Sequence, residues 1–181
     1  MYQLVVMVVL AAQATDKLIN QIAPALFTAF PTMESLSRAT PESLHPYVGK
    51  VRNFVNKTNW LLELSEKIKK DKNIPLTMKE LTALPGIGRK SANVMMHEAH
   101  VPVEGVIIDL HVLRVAPRLG IASGTDQKKI EKQIMDVIPA KSWGDIGMAL
   151  SFLGREICRP KDPKHSECVM KNDCAFYKAE Q

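Results

Sequence analysis

Apolar residues recur at intervals of three and four along almost the whole chain, and no stretch alternates cleanly over six residues. That is the helical period, so the chain reads as helices packed on helices with no sheet. The pattern predicts helices over 4–13, 17–30, 33–38, 50–70, 89–99, 110–119, 126–137 and 142–158. Another is entered through Thr40-Pro41, with proline at the first helical position, where its missing N–H costs nothing. Thr77-Met78-Lys79-Glu80 has capping-box spacing and starts a short helix that stops at Pro85-Gly86. In the long helix, Val51, Phe54, Val55, Leu61, Leu62, Leu64 and Ile68 supply the apolar side. Proline and glycine within Val101-Pro102-Val103-Glu104-Gly105 interrupt two helical blocks and mark a soft boundary.

At 181 residues the chain can bury a core without covalent staples. Its apolar run Leu4–Ala12 is too short to span a bilayer. No Lys or Arg precedes it, so it reads as a buried helix rather than a secretion signal, and the protein is expected to be intracellular, in the cytoplasm. The chain opens directly on this core segment, which raises the prospect of a further N-terminal element. Lys plus Arg number 24 against 19 for Asp plus Glu, a formal charge of +5 that suits a polyanionic partner without requiring one. The three cysteines crowd into the last 24 residues, a poor disulfide framework and a better metal site.

The chemistry concentrates first in Leu84-Pro85-Gly86-Ile87-Gly88-Arg89-Lys90, between two short helices. Gly86 and Gly88 have no side chains to keep a phosphate from the backbone. The amides opening the next helix point outward at the positive end of its dipole, and Arg89 and Lys90 add charge. A lysine amine, when uncharged, can attack a carbon that bears a leaving group and form a Schiff base. The plainer reading is a helix–helix connection with two surface cations. Asp109 stands just ahead of the apolar run from Leu110, where an aspartate most often serves only as an N-cap.

Ala83 to Val94, which contains this turn, resembles the helix-hairpin-helix segment of the endonuclease III family of DNA glycosylases. Three further stretches agree in order and spacing: Ala12-Gln13-Ala14-Thr15-Asp16, Ile108-Asp109-Leu110-His111-Val112-Leu113-Arg114-Val115, and the terminal cysteines. The resemblance implies an all-α, two-lobed fold. One lobe would be a helical bundle over 14–103, with the hairpin at about 77–99. The other would combine 1–13 with 104–181 and carry a metal loop over 158–174. Lys90 and Asp109 would stand on opposite walls of the cleft between them.

The implied activity is base excision repair by a bifunctional glycosylase and AP lyase, acting as a monomer on duplex DNA with oxidised pyrimidines or abasic sites. Lys90 would attack the sugar C1′ once the damaged base is flipped out, and Asp109 would stabilise the positively charged sugar. Gln13, Lys50, Gly86, Gly88, Arg89 and His111 would meet the DNA. Gln13 would reach into the emptied duplex position, and Lys50 stands where an apolar wedge is usual, in Tyr47-Val48-Gly49-Lys50-Val51-Arg52-Asn53. The family's hydroxyl residue after the aspartate is here Leu110. The rival readings are a monofunctional glycosylase for another lesion and a non-catalytic DNA-binding module.

The family's iron–sulfur loop has four cysteines with six, two and five residues between them. In that register His165 takes the second position, giving Cys158, His165, Cys168 and Cys174. Histidine ligates iron in some clusters, three thiolates with an imidazole also suit zinc, and a metal-free loop is the third possibility. The resemblance points to [4Fe–4S], with the alternatives left open.

Overall fold

The computed structural model describes residues 1–181, which form eleven α-helices and no strand. They are α1 (Tyr2–Ala11), α2 (Asp16–Ala29), α3 (Met33–Ser37), α4 (Pro41–Val48), α5 (Phe54–Ile68) and α6 (Met78–Thr82). After these come α7 (Arg89–Glu98), α8 (Leu110–Leu119), α9 (Gln127–Val137), α10 (Trp143–Glu156) and α11 (Ala175–Ala179). None is long and apolar enough to cross a membrane.

Most helix starts are written in short polar residues. The hydroxyls of Thr32 and Thr40 accept from the backbone N–H groups of Ser35 and Ser43, and each serine returns the bond, closing two capping boxes. Thr77 accepts from Glu80 N–H at 3.3 Å and opens α6. The start of α5 departs from its apolar pattern. Lys50–Asn53 turns instead of coiling, Asn53 adopts φ +58°, and the helix begins only at Phe54.

The chain divides into two compact units, Met1–Val101 and Pro102–Gln181, within the Pro/Gly break. In the first, α1 packs on α2, α5 and α7, and Val5, Val6, Val9 and Leu10 lose all contact with solvent. Residues 1–13, expected with the C-terminal segment, therefore belong to this unit: a helix apolar on nearly every face must be surrounded. Leu61 and Leu64 of α5 and Met95 of α7 complete its centre.

The second unit is built on α8 against α10, with α9 alongside α8. Val112, Val115 and Ala116 of α8 meet Ile130, Ile134 and Leu150, joined by Val106 and Ile108 from a buried segment that precedes α8. Trp143, partly buried, packs on this core and donates its indole N–H to the Ile138 carbonyl at 2.8 Å.

Candidate nucleic-acid and catalytic site

The turn between α6 and α7 is shaped by its two glycines for different reasons. Gly86 has φ +76°, the left-handed region that a side chain disfavours. A Cβ there would lie 2.9 Å from Trp60 Cε3 and 3.3 Å from Val9 Cγ1, so the turn rests directly on α5 and α1. Trp60 is thus a packing anchor. Gly88 has an ordinary φ of −95° and caps α7, and nothing lies within 4 Å of the Cβ it lacks. Its bare face opens outward. Ile87, 5% exposed, pins the turn to the core while Arg89 and Lys90 stand exposed in the first turn of α7. No side chain caps that helix and its first turn holds no acid, so its amides and two cations favour an anion.

Gln13 lies in the same unit, exposed, with φ +57° immediately after α1. Lys57, only 2% exposed, reaches from α5 and donates from Nζ to the carbonyls of Leu10 at 2.8 Å and Ala12 at 2.5 Å. A cation at a helix C-terminus complements the orphan carbonyls there. Burial, and secondarily Arg52, pushes its pKa down. Lys50 is exposed beside Arg52 and Asn53, while Val51 turns inward, so the loop before α5 presents polar side chains to solvent.

In the second unit Asp109 is the N-cap of α8. Its Oδ1 accepts from the N–H groups of His111 at 2.8 Å and Val112 at 2.9 Å. Its Oδ2 accepts from the Ser151 hydroxyl at 2.6 Å. The plain structural role expected of this aspartate is therefore real, and the carboxylate it fixes is partly exposed. His111 is also partly exposed, with Nδ1 3.3 Å from Arg114 Nη2. Leu110 beside it is 79% exposed.

Cys158, His165, Cys168 and Cys174 all line one small cavity of about 20 Å³, roofed by Leu119, Leu153 and Ile157. The three thiols are free. Cys158 Sγ lies 3.5 Å from Arg118 Nη1, and Cys174 Sγ lies 3.4 Å from the Arg118 carbonyl. His165 stacks on Tyr177 and Phe176, with centroids 5.0 and 5.9 Å apart. Its Nε2 is buried, and Glu180 Oε2, although 3.0 Å away, lies off the hydrogen-bond line, so that nitrogen is left without a hydrogen-bond partner. No three of the donors converge closely enough to share a single ion. By donor chemistry alone, three thiols and an imidazole suit a soft metal group.

Residues 6–140 match the model of the HhH-GPD superfamily base excision DNA repair proteins. The chain belongs to that superfamily. Endonuclease III of Bacillus subtilis is 34% identical over 176 residues, 96% of this chain and 80% of the relative. Endonuclease III of Synechocystis is 33% identical over 174 residues, 95% and 80% of the two. A solved endonuclease III trapped as a covalent intermediate with DNA superposes with a TM-score of 0.84 at 30% identity, covering 98% of this chain and 84% of that one. A thermostable thymine-DNA glycosylase has the same TM-score at 19% identity, which shares the fold alone.

Membership of the HhH-GPD superfamily makes the chain a DNA glycosylase of base excision repair, with an all-α helix-hairpin-helix fold that binds DNA. Two residues, one in each unit, escape a reading by sequence pattern. Lys57 falls on a helix where a lysine reads as surface. Ser151 sits in an apolar stripe and reads as filler, although Gly147 and Gly154 around it signal an unusually close helix contact.

Proposed function

We propose that this HhH-GPD protein is a bifunctional glycosylase and AP lyase that removes oxidised pyrimidines from duplex DNA and nicks the strand at the abasic site. The observation that carries the proposal is Lys90: an exposed amine in the first turn of a helix that no side chain caps, directly behind the open face of Gly88. The backbone there grips phosphate, and the amine next to the grip is supplied to the sugar.

The uncharged Lys90 Nζ adds to C1′ as the C1′–N bond breaks, and the base leaves with the bonding electrons and takes up a proton. Opening of the sugar ring gives a protonated imine between Lys90 and C1′. Loss of a C2′ proton then expels the 3′ phosphate by β-elimination. The Asp109 carboxylate stabilises positive charge on the same sugar and exchanges protons with it. A relative trapped in covalent linkage to DNA supports attack by a group of the protein over direct attack by water. Arg89, Gly88, Lys50 and His111 serve as DNA contacts, Gly86 acts through the turn it shapes rather than by touching DNA, and Gln13 fills the position the flipped base leaves.

Cys158, His165, Cys168 and Cys174, which line one cavity and include three free thiols, would hold a [4Fe–4S] cluster. When bound, that group supplies a cross-link that stiffens residues 158–174. The protein acts as an intracellular monomer. The test is a duplex with one abasic site: wild-type protein nicks it, and Lys90→Gln binds it without nicking. Nicking by Lys90→Gln at the wild-type rate overturns the lyase assignment.

A further inference from the structure

We propose that Ser151 is a positioning residue for the Asp109 carboxylate, holding Oδ2 so that the acid keeps one orientation through the reaction. The proposal rests on the reading of Asp109 as the carboxylate that serves the sugar.

The two oxygens of Asp109 are held differently. Oδ1 is fixed by two backbone amides as part of the helix cap, which any capping aspartate would show. Oδ2 takes a hydroxyl from another helix, 42 positions along the chain, and α8 gains no further cap by it. At 2.6 Å this O–H···O contact falls in the short range of charge-assisted bonds. Ser151 is only 5% exposed, so water does not compete for its proton. With one oxygen tied to the cap and the other to Ser151, the carboxylate plane cannot swing.

The helix face that delivers Ser151 is cut away on both sides of it. A Cβ at Gly147 would lie 2.7 Å from the Ile107 carbonyl oxygen and 2.9 Å from Ile107 N. At Gly154 it would lie 2.8 Å from His111 Cβ and 2.9 Å from Val115 Cγ2. Gly147, Ser151 and Gly154 fall at i, i+4 and i+7, one face of α10. The two glycines bring the α10 backbone against the segment that ends in Asp109 and against the first turns of α8, and a side chain as short as serine then spans the gap.

The experiment compares wild type, Ser151→Ala, Asp109→Asn and the double variant. It measures single-turnover excision from a lesion duplex, Kd for an abasic-site duplex, and thermal unfolding. Ser151→Ala is expected to fold, to bind DNA within about twofold of wild type, and to excise about tenfold more slowly. In the Asp109→Asn background the same change is expected to have less than about a twofold effect, because the oriented group is gone. Wild-type excision by Ser151→Ala with an inactive Asp109→Asn overturns the positioning role alone. Full activity of Asp109→Asn overturns the catalytic reading and this proposal together. A loss in Kd as large as the loss in rate shows a purely structural effect and also overturns it.

Discussion

The two glycines of the α6–α7 turn separate stability from binding, and alanine at each should split the two cleanly. At Gly86 the backbone is left-handed, which costs an L-residue about 1–2 kcal/mol. The added methyl would also press on the Trp60 ring from 2.9 Å, an overpacking that typically costs about 1–3 kcal/mol. Gly86→Ala is thus expected to lose about 2–5 kcal/mol, a fall in Tm on the order of 5–20 °C for a chain this long. At Gly88 the φ of −95° is ordinary and the methyl meets nothing, so the loss should stay within about 1 kcal/mol, that of a poorer N-cap. That methyl, however, would project from the face that a phosphate must approach. Gly88→Ala should keep its Tm within about 3 °C and weaken duplex binding about tenfold or more, with a shallower dependence on salt. Thermal melts and salt-titrated fluorescence anisotropy would decide it. Gly88→Ala binding DNA like wild type would refute the phosphate grip, and an unaltered Tm in Gly86→Ala would refute the packing argument.

Other outcomes follow from single contacts. Lys57→Met leaves the Leu10 and Ala12 carbonyls without their donor and should cost about 2–4 kcal/mol by urea denaturation; a gain in stability would mean that the buried cation was a net burden. The Tyr2 hydroxyl donates to the Phe30 carbonyl at 2.6 Å, and burial, then Asp71, raises its pKa above the ordinary value. Its neutral form is favoured in the fold, so that stabilisation is complete below about pH 10 and is lost as pH rises beyond it. Tyr2→Phe should be about 1 kcal/mol less stable at neutral pH and should show a smaller alkaline decline. Purified protein is expected to carry about four irons per chain with a broad visible absorbance, and Cys174→Ser to lose both; one zinc per chain would replace the cluster with a single-ion site.

Much of this was legible in the sequence because it is local. Helix ends marked by Thr40-Pro41 and Thr77, the glycines of the turn, and Asp109 as a cap each depend on a few neighbouring residues. Their side chains act within three or four positions of themselves. The start of α5 was not legible, since an apolar pattern running back to Val51 gives no sign that Asn53 breaks it with a positive φ. Residues 101–105 read as an interruption and 106–107 carry no signal, yet Gly105 to Ile108 are buried, and Gln127 Nε2 donates to the Ile108 carbonyl at 2.7 Å. Lys57 and Ser151 were hidden for one reason: their partners lie more than forty positions away, and only packing brings them together.

The central claim is that the Lys90 amine forms a covalent imine with deoxyribose, and borohydride trapping tests it most directly. Incubating protein and an abasic-site duplex with the reductant should give a stable adduct whose cross-linked peptide contains Lys90. Lys90→Gln should give none while still binding the duplex. An adduct of undiminished yield in Lys90→Gln, or no adduct from wild-type protein that nicks the strand, would contradict the account.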